Sequence, residues 1–362
     1  MKNTFGSALT VTLFGESHGE LIGATLDGIA PGIKIDRDYI KSELAKRRPS
    51  GKISTKRVEA DEFSIISGVY GEYTTGTPLT VLIPNTNKNS ADYESFARIP
   101  RPSHADYTAE CKYHGYADPR GGGHFSGRLT APLVAVGAIV RRALMDKGIL
   151  IGTHIKSLYG INDREISDLS KDIEALNTSV YPVLDPVAKK LMISLTEECA
   201  TRGDSVGGVL ETYVTGIKEG VGEPWFDTVE GCLAHAMFSV PAIKGVEFGC
   251  GFGFADLYGS EANDAFEYRD GKVITKTNNN GGINGGITNG MPIVMRCAVK
   301  PTPSIFAEQD SVDLDKGDNV KLSISGRHDP SIIHRARAVV DAMTALTVAD
   351  LLSVKYGTDY LR

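Results

Sequence analysis

No cysteine in this chain stands at metal-ligand or redox spacing from another. Cys111, Cys199, Cys232, Cys250 and Cys297 are odd in number, scattered, and never form a CxxC pair. That pattern suits reduced thiols in a cytosolic protein, and no metal ligand is expected. Long apolar runs are missing as well: the longest, Leu129 to Val140, falls short of the roughly 20 residues that cross a bilayer. The opening MKNTFGSALTVTLFGESHG has neither the sustained apolar core nor the cleavage pattern of a secretory signal. A cytoplasmic protein with no membrane partner is the expectation. Positive charge is not in excess either. A net charge of −6 argues against general nucleic-acid binding, which calls for a basic surplus or stripe.

What is present is enough apolar residue, 41% of 362, to bury one large core or two moderate ones. Forty glycines punctuate short β-like segments at Leu9–Phe14, Leu79–Ile83, Val209–Val214 and Ile293–Val299. Helical patterns separate them. Ile40 and Leu44 share a face of a helix starting near Asp36, Thr130-Ala131-Pro132 reads as a cap and first turn, and Asp185-Pro186 and Asp329-Pro330 read as two more starts. The helix through Val136, Ile139, Val140 and Leu144 is apolar on most sides and should be buried, and apolar residues from Ile332 to Met343 recur at helical spacing.

A self-comparison suggests duplication. GESHGELIGATLDGI from Gly15 aligns without gaps on GDSVGGVLETYVTGI from Gly203, with five identities, and TGTPLTVLIP from Thr75 lies parallel to NGMPIVMRCA from Asn289. We expect one domain over 1–362 with internal repeats of about 1–150 and 203–362. Where the first copy has His18, the second has Val206, so His18 is an addition to a repeated backbone.

The densest chemistry lies in Gly121-Gly122-Gly123, set between Arg120 and Arg128 with Arg101 and His104 upstream and His124 and Ser126 beside it. Glycines admit close backbone approach, flanking guanidiniums attract anions, and imidazoles move protons near neutral pH. On its own the stretch fits either a solvated surface loop or a phosphate or carboxylate site. Around Lys46, Arg47, Arg48, Lys52, Lys56 and Arg57 the positive field fits either an exposed helix end or a small polyanion. His18, between Gly15 and Gly19, reads equally as a buried histidine or a functional one. Pro102 favours an extended approach for His104, and Asp106 can orient its ring. The glycine-rich run Gly281–Gly290 offers amides to an anion or a flat ring but lacks the lysine of a P-loop, and the spacing at Gly249–Gly253 is not a dinucleotide fingerprint. Asp329 before Pro330 reads locally as a helix cap, with Arg327 marking an anion site beside it.

Eight segments in order then resemble one family: FGESHG at 14–19, RPSHADYT at 101–108, RGGG with Ser126 and Arg128, GDSVGG at 203–208, GEPWFD at 222–227, GGINGGITNGMPIV, KPTPSI at 300–305 and GRHDP at 326–330. Together they resemble the chorismate synthase family. The resemblance implies an α+β fold, a layered β-α-β sandwich with an internally duplicated core and helices between antiparallel sheets. It implies a lyase that eliminates phosphate in a trans-1,4 sense from 5-enolpyruvylshikimate 3-phosphate to give chorismate, the last common step towards the aromatic amino acids. Reduced FMN is implied as cofactor, without net redox change, along with a homotetramer and an external flavin reductase. By the same resemblance His18, His104 and Asp329 are catalytic, and Arg47, Lys52, Arg120, Arg128 and Arg335 bind substrate. Flavin contacts fall on His124, Phe125, Ser126, Pro241, Ala242, Gly285, Lys300, Pro301, Thr302, Pro303, Ser304 and Arg327. Two departures stand out: His124-Phe125-Ser126 replaces the usual Arg-Ser-Ser, and Lys52 stands where an arginine is usual. The alternatives are a bifunctional form that also reduces flavin with NAD(P)H, and a non-catalytic flavin or anion binder, which would not need His18 and His104.

Overall fold

The computed structural model describes residues 2–49, 61–86, 98–324 and 329–362. Two five-stranded antiparallel sheets carry the architecture. The first holds β1 (Thr4–Phe5), β2 (Thr10–Gly15), β3 (Leu21–Asp27), β4 (Ser64–Ser67) and β5 (Leu79–Pro84), in the order β1-β2-β3-β5-β4. The second holds β6 (Leu150–Leu158), β7 (Ile161–Asn162), β8 (Gly208–Thr215), β9 (Ile243–Phe248) and β10 (Ile293–Val299), in the order β9-β10-β8-β6-β7. The main helices are α1 (Arg37–Arg47), α2 (Asp106–Tyr113), α3 (Thr130–Asp146), α4 (Val229–Ser239) and α5 (Ile333–Tyr356). Helix α3 packs on β3 and β5 of the first sheet and α5 on β6 and β8 of the second, while the two helices pack on each other; α1 lies against both, and α4 joins α5 to β9. The helices are therefore the filling of an α+β sandwich.

The pairing registers of the two sheets coincide. Leu21 faces Pro84 and Leu26 faces Leu79 in the first sheet; the aligned positions, Val209 with Ala298 and Val214 with Ile293, face each other in the second. On the other side of the central strand, Val11 faces Leu26 as Ile151 faces Val214. We infer a duplicated unit of strand, strand, helix, strand, strand, helix, with β6 in the place of β2, so that the second unit reaches back to Leu150. One continuous cluster of buried apolar side chains runs from Leu9 to Leu361.

Local chemistry accounts for most element boundaries. Asp36 accepts a hydrogen bond from the Tyr39 N–H at 2.9 Å and caps α1, and Asp185 caps the helix Pro186–Arg202. Two expected starts shift. Thr130 is the first residue of α3 rather than its cap, its hydroxyl donating back to the Gly127 carbonyl. Asp329-Pro330 does not open α5, which begins at Ile333 without a side-chain cap, because the Asp329 carboxylate is taken by Arg335. Helices α3 and α5 approach closely at Gly137, where an added Cβ would lie 2.5 Å from the Ala342 Cβ. At the centre of the helical layer Arg141 is fully buried and donates to Glu43 at 2.8 Å, with Asp341 at 3.2 Å.

Candidate active site

The triple glycine adopts left-handed backbone at all three positions, with φ of 61°, 83° and 52°. Only glycine does this without steric cost, and the fold uses it to bring backbone between two histidines. A Cβ on Gly121 would lie 2.8 Å from His18 Nε2, and one on Gly122 would lie 3.4 Å from His104 Cε1. The turn bearing His18 is pinned to the same loop. Ser17 N–H donates to the Gly123 carbonyl at 3.1 Å, and the Ser17 hydroxyl reaches the carbonyls of Arg120 and Gly121. His18 itself is buried.

His104 sits at the edge of a cavity of about 780 Å³, in the upper part of the roughly 300–1,000 Å³ range of small-molecule sites. Its Nδ1 lies 2.6 Å from the Asp106 carboxylate, which also takes Arg101 through two nitrogens. Since a carboxylate only accepts, Nδ1 carries the hydrogen and Nε2 is turned toward the glycine loop. Burial disfavours ionised Asp106, but hydrogen bonds from Arg101 and His104 outweigh it and hold the carboxyl well below the usual carboxylate range. The neighbouring Ser103 has φ of 58° and Ala242, on the opposite wall, 75°. Left-handed backbone in non-glycine residues costs on the order of 1–3 kcal/mol and gathers at functional sites. Lys300 links the two walls, its ammonium donating to the Ser103 carbonyl at 2.5 Å and its N–H to the Ala242 carbonyl at 2.9 Å. Burial, with Lys244 nearby, lowers its pKa.

Among the described residues that line the cavity, five are cations, Lys2, Arg47, Arg128, Lys300 and Arg335, against one carboxylate, Asp329. In a chain of net charge −6 that is a strongly biased enclosure. The floor is apolar, built from Leu133 of α3 and from Ala336, Val339 and Met343 of α5. Phe125 is 39% exposed at the wall and meets Tyr113 of α2 edge-on at 6.1 Å. His124 donates through Nδ1 to the Gly15 carbonyl at 2.9 Å. An apolar floor for a flat ring and a cationic wall for acidic groups is the donor set that a flavin phosphate with a polyanionic substrate requires, so the residues fit both.

The expected site residues separate into three groups. Arg47, His104, His124, Phe125, Ser126, Arg128, Pro241, Ala242, Lys300, Pro303, Asp329 and Arg335 line the cavity. His18 stands behind Gly121, while Arg120 is absent from the lining, paired with Asp118 at 2.8 Å and half exposed. Pro301, Thr302 and Ser304 lie outside the lining, as does Gly285, which sits in the turn between the two-residue strands Ile283–Asn284 and Ile287–Thr288. Lys52 and Arg327 lie outside the described residues.

Three polar residues escaped the sequence reading. Asp61 is wholly buried between Arg47 and Arg128, Asn85 accepts from Arg128 Nε at 3.1 Å, and His235 lines the cavity against Phe5 with ring centroids 5.4 Å apart. The signal for Asp61 was the run of acid directly after the basic cluster; Asn85 and His235 carried none.

A family model for chorismate synthase matches residues 9–353. The chain belongs to the chorismate synthase family. It is 46% identical over 348 residues to the chorismate synthase of Thermococcus gammatolerans, covering 96% of each chain. To that of Dehalococcoides mccartyi (strain ATCC BAA-2100) it is 45% identical over 353 residues, 97% of this chain and 96% of the relative. A solved crystal structure of chorismate synthase superposes with a TM-score of 0.76 at 30% identity, covering 98% of this chain and 94% of the other. The chain is accordingly a lyase of the shikimate route, converting 5-enolpyruvylshikimate 3-phosphate to chorismate and phosphate.

Proposed function

We propose that the 780 Å³ cavity holds 5-enolpyruvylshikimate 3-phosphate together with reduced FMN, and that the elimination takes place there. The observation that carries this reading is the five-to-one excess of cationic over acidic side chains on the lining. The substrate brings two carboxylates and a phosphate, so Arg47, Arg128 and Arg335, with Lys52 and Arg120, supply its counter-charges. Reduced flavin bound among these residues would supply transient electron density for the elimination, with no net redox change. His18 donates a proton as the phosphate departs; a protonated or cation-paired phosphate is the better leaving group. His104, held by Asp106 through Nδ1, presents Nε2 as the atom that takes up or returns a proton on the flavin side, and Asp329 would act near the same ring. Phe125, His124, Ser126, Pro241, Ala242 and the segment Lys300–Ser304, with Gly285 and Arg327, are the proposed flavin contacts. Phe125 takes the ring system where relatives use a hydroxyl.

Assembly as a homotetramer is part of the proposal, and exposed Trp225, Phe226, Phe252 and Tyr258 support association. Five free thiols support a cytoplasmic setting, and among the described residues no helix is long and apolar enough to cross a membrane. Reduced flavin would come from an external reductase; NADPH oxidation by the protein with FMN should match a protein-free control. The direct test of the site is His104→Ala. Turnover with reduced FMN should fall by about 10²–10⁴-fold while FMN still quenches on binding, and undiminished turnover would remove His104 from the mechanism.

A further inference from the structure

We propose that Asp61 and Asn85 are positioning residues that fix the arginine pair of the cavity against the turn carrying His18. The inference rests on the assignment of Arg47 and Arg128 as substrate clamps. The Asp61 side chain is 0% exposed and lies between the two cavity guanidiniums: Oδ2 accepts from Arg47 Nη2 at 3.0 Å and Oδ1 from Arg128 Nη1, with Arg48 Nε 3.7 Å from Oδ2. Two guanidiniums facing one pocket repel each other, and a carboxylate shared between them sets their spacing while leaving the pair net positive for a ligand. Arg335 extends this wall, donating through Nε to the Arg47 carbonyl at 2.7 Å and through Nη1 to Asp329 at 2.5 Å.

Asn85 continues the chain toward His18. Its Oδ1 accepts from Arg128 Nε at 3.1 Å, and its Nδ2 donates to the carbonyls of Glu16 at 3.0 Å and Gly19 at 3.1 Å. Because arginine only donates and carbonyls only accept, this orientation of the amide is the one that satisfies all three partners. Glu16 and Gly19 bracket Ser17 and His18, so one amide sets the turn with the acid histidine against the clamp that receives the anion.

The two residues therefore predict opposite kinetic signatures. Asp61→Asn keeps the shape but cannot accept from both arginines; losing a charge-assisted partner should raise KM for 5-enolpyruvylshikimate 3-phosphate at least about tenfold, with a smaller change in kcat. Asn85→Asp still accepts from Arg128 but sets an oxygen against the Glu16 and Gly19 carbonyls, so kcat should fall at least about tenfold with KM little changed. Should Asp61→Asn fail to fold, Asp61→Glu keeps the charge, shifts it by one methylene, and should raise KM by a smaller factor. The assay is anaerobic steady-state turnover of the full chain with reduced FMN, with thermal midpoints alongside. Unchanged kinetics in either variant, equal losses in kcat and KM, or tighter substrate binding by Asp61→Asn would each overturn the proposal. Arg128→Gln separates the two levels: if it leaves KM unchanged, the clamp assignment fails; if it raises KM while Asp61→Asn does not, only the positioning role fails.

Discussion

At His104, one carboxylate decides which ring nitrogen carries the hydrogen, and that pairing was legible because Asp106 is two residues away and Pro102 extends the approach. His154 went unread for the opposite reason. Its partners lie 9 and 57 residues along the chain, Asp163 at 2.7 Å from Nδ1 and Glu211 at 3.0 Å from Nε2, and only the assembled second sheet brings them together. Both ring nitrogens face carboxylates, an arrangement that favours the charged ring. Burial disfavours that charge, but the hydrogen bonds to Asp163 and Glu211 outweigh it and raise the pKa. Burial likewise opposes ionised Glu211, yet His154, Lys156 and Arg296 push its carboxyl down to about 2. The signs give a window. The His154 contribution is complete below its unfolded value of about 6.5 and is lost as pH rises through the raised folded value. The Glu211 contribution is present above about 4.3 and disappears as pH falls through about 2. Unfolding free energy measured by denaturant should therefore decline from pH 6 into the alkaline range more steeply in the wild type than in His154→Gln. Parallel profiles would mean that the ring does not titrate with folding.

Among elements, the glycine loop and the central strands were readable because their signals are local: a run of three glycines, and β-branched segments bounded by turns. Registers matched between the halves for the same reason, since Gly-x-Pro precedes both β5 and β10. The start of α5 was misplaced because its local cap signal, Asp329-Pro330, competes with an ion pair between Asp329 and Arg335 of the first turn of α5. The loop yields a prediction of its own. Gly121 and Gly271 both have positive φ, so alanine at either costs on the order of 1–2 kcal/mol of stability. Only at Gly121 does the new methyl meet functional atoms, Ser17 Oγ at 2.7 Å and His18 Nε2 at 2.8 Å, whereas Gly271 has nothing within 4 Å. Gly121→Ala should lose about a hundredfold in kcat while Gly271→Ala keeps wild-type turnover. Equal activities would separate the loop from the chemistry.

For the whole molecule, the sandwich places the cavity where N-terminal and C-terminal elements meet: β2, α1 and α3 on one side, α4 and α5 on the other. The same seam is tied by Arg141 of α3, which joins Glu43 of α1, Asp341 of α5 and the Ile151 carbonyl of β6. Arg141→Met would leave buried Glu43 with Lys46 and buried Asp341 with Arg337 but without the cation they share, and should cost about 3–5 kcal/mol by urea unfolding; a loss below about 1 kcal/mol would show that the seam relaxes around it. Charge composition announced none of this, since a chain of net −6 conceals a cationic enclosure assembled from residues far apart in sequence. The account stands most directly on one anaerobic experiment, in which the protein is mixed with 5-enolpyruvylshikimate 3-phosphate and chemically reduced FMN while chorismate, phosphate and flavin oxidation state are followed together. It predicts many turnovers with equal chorismate and phosphate and with the flavin still reduced at the end. Turnover with oxidised flavin alone, or one flavin oxidised for each chorismate formed, would contradict it.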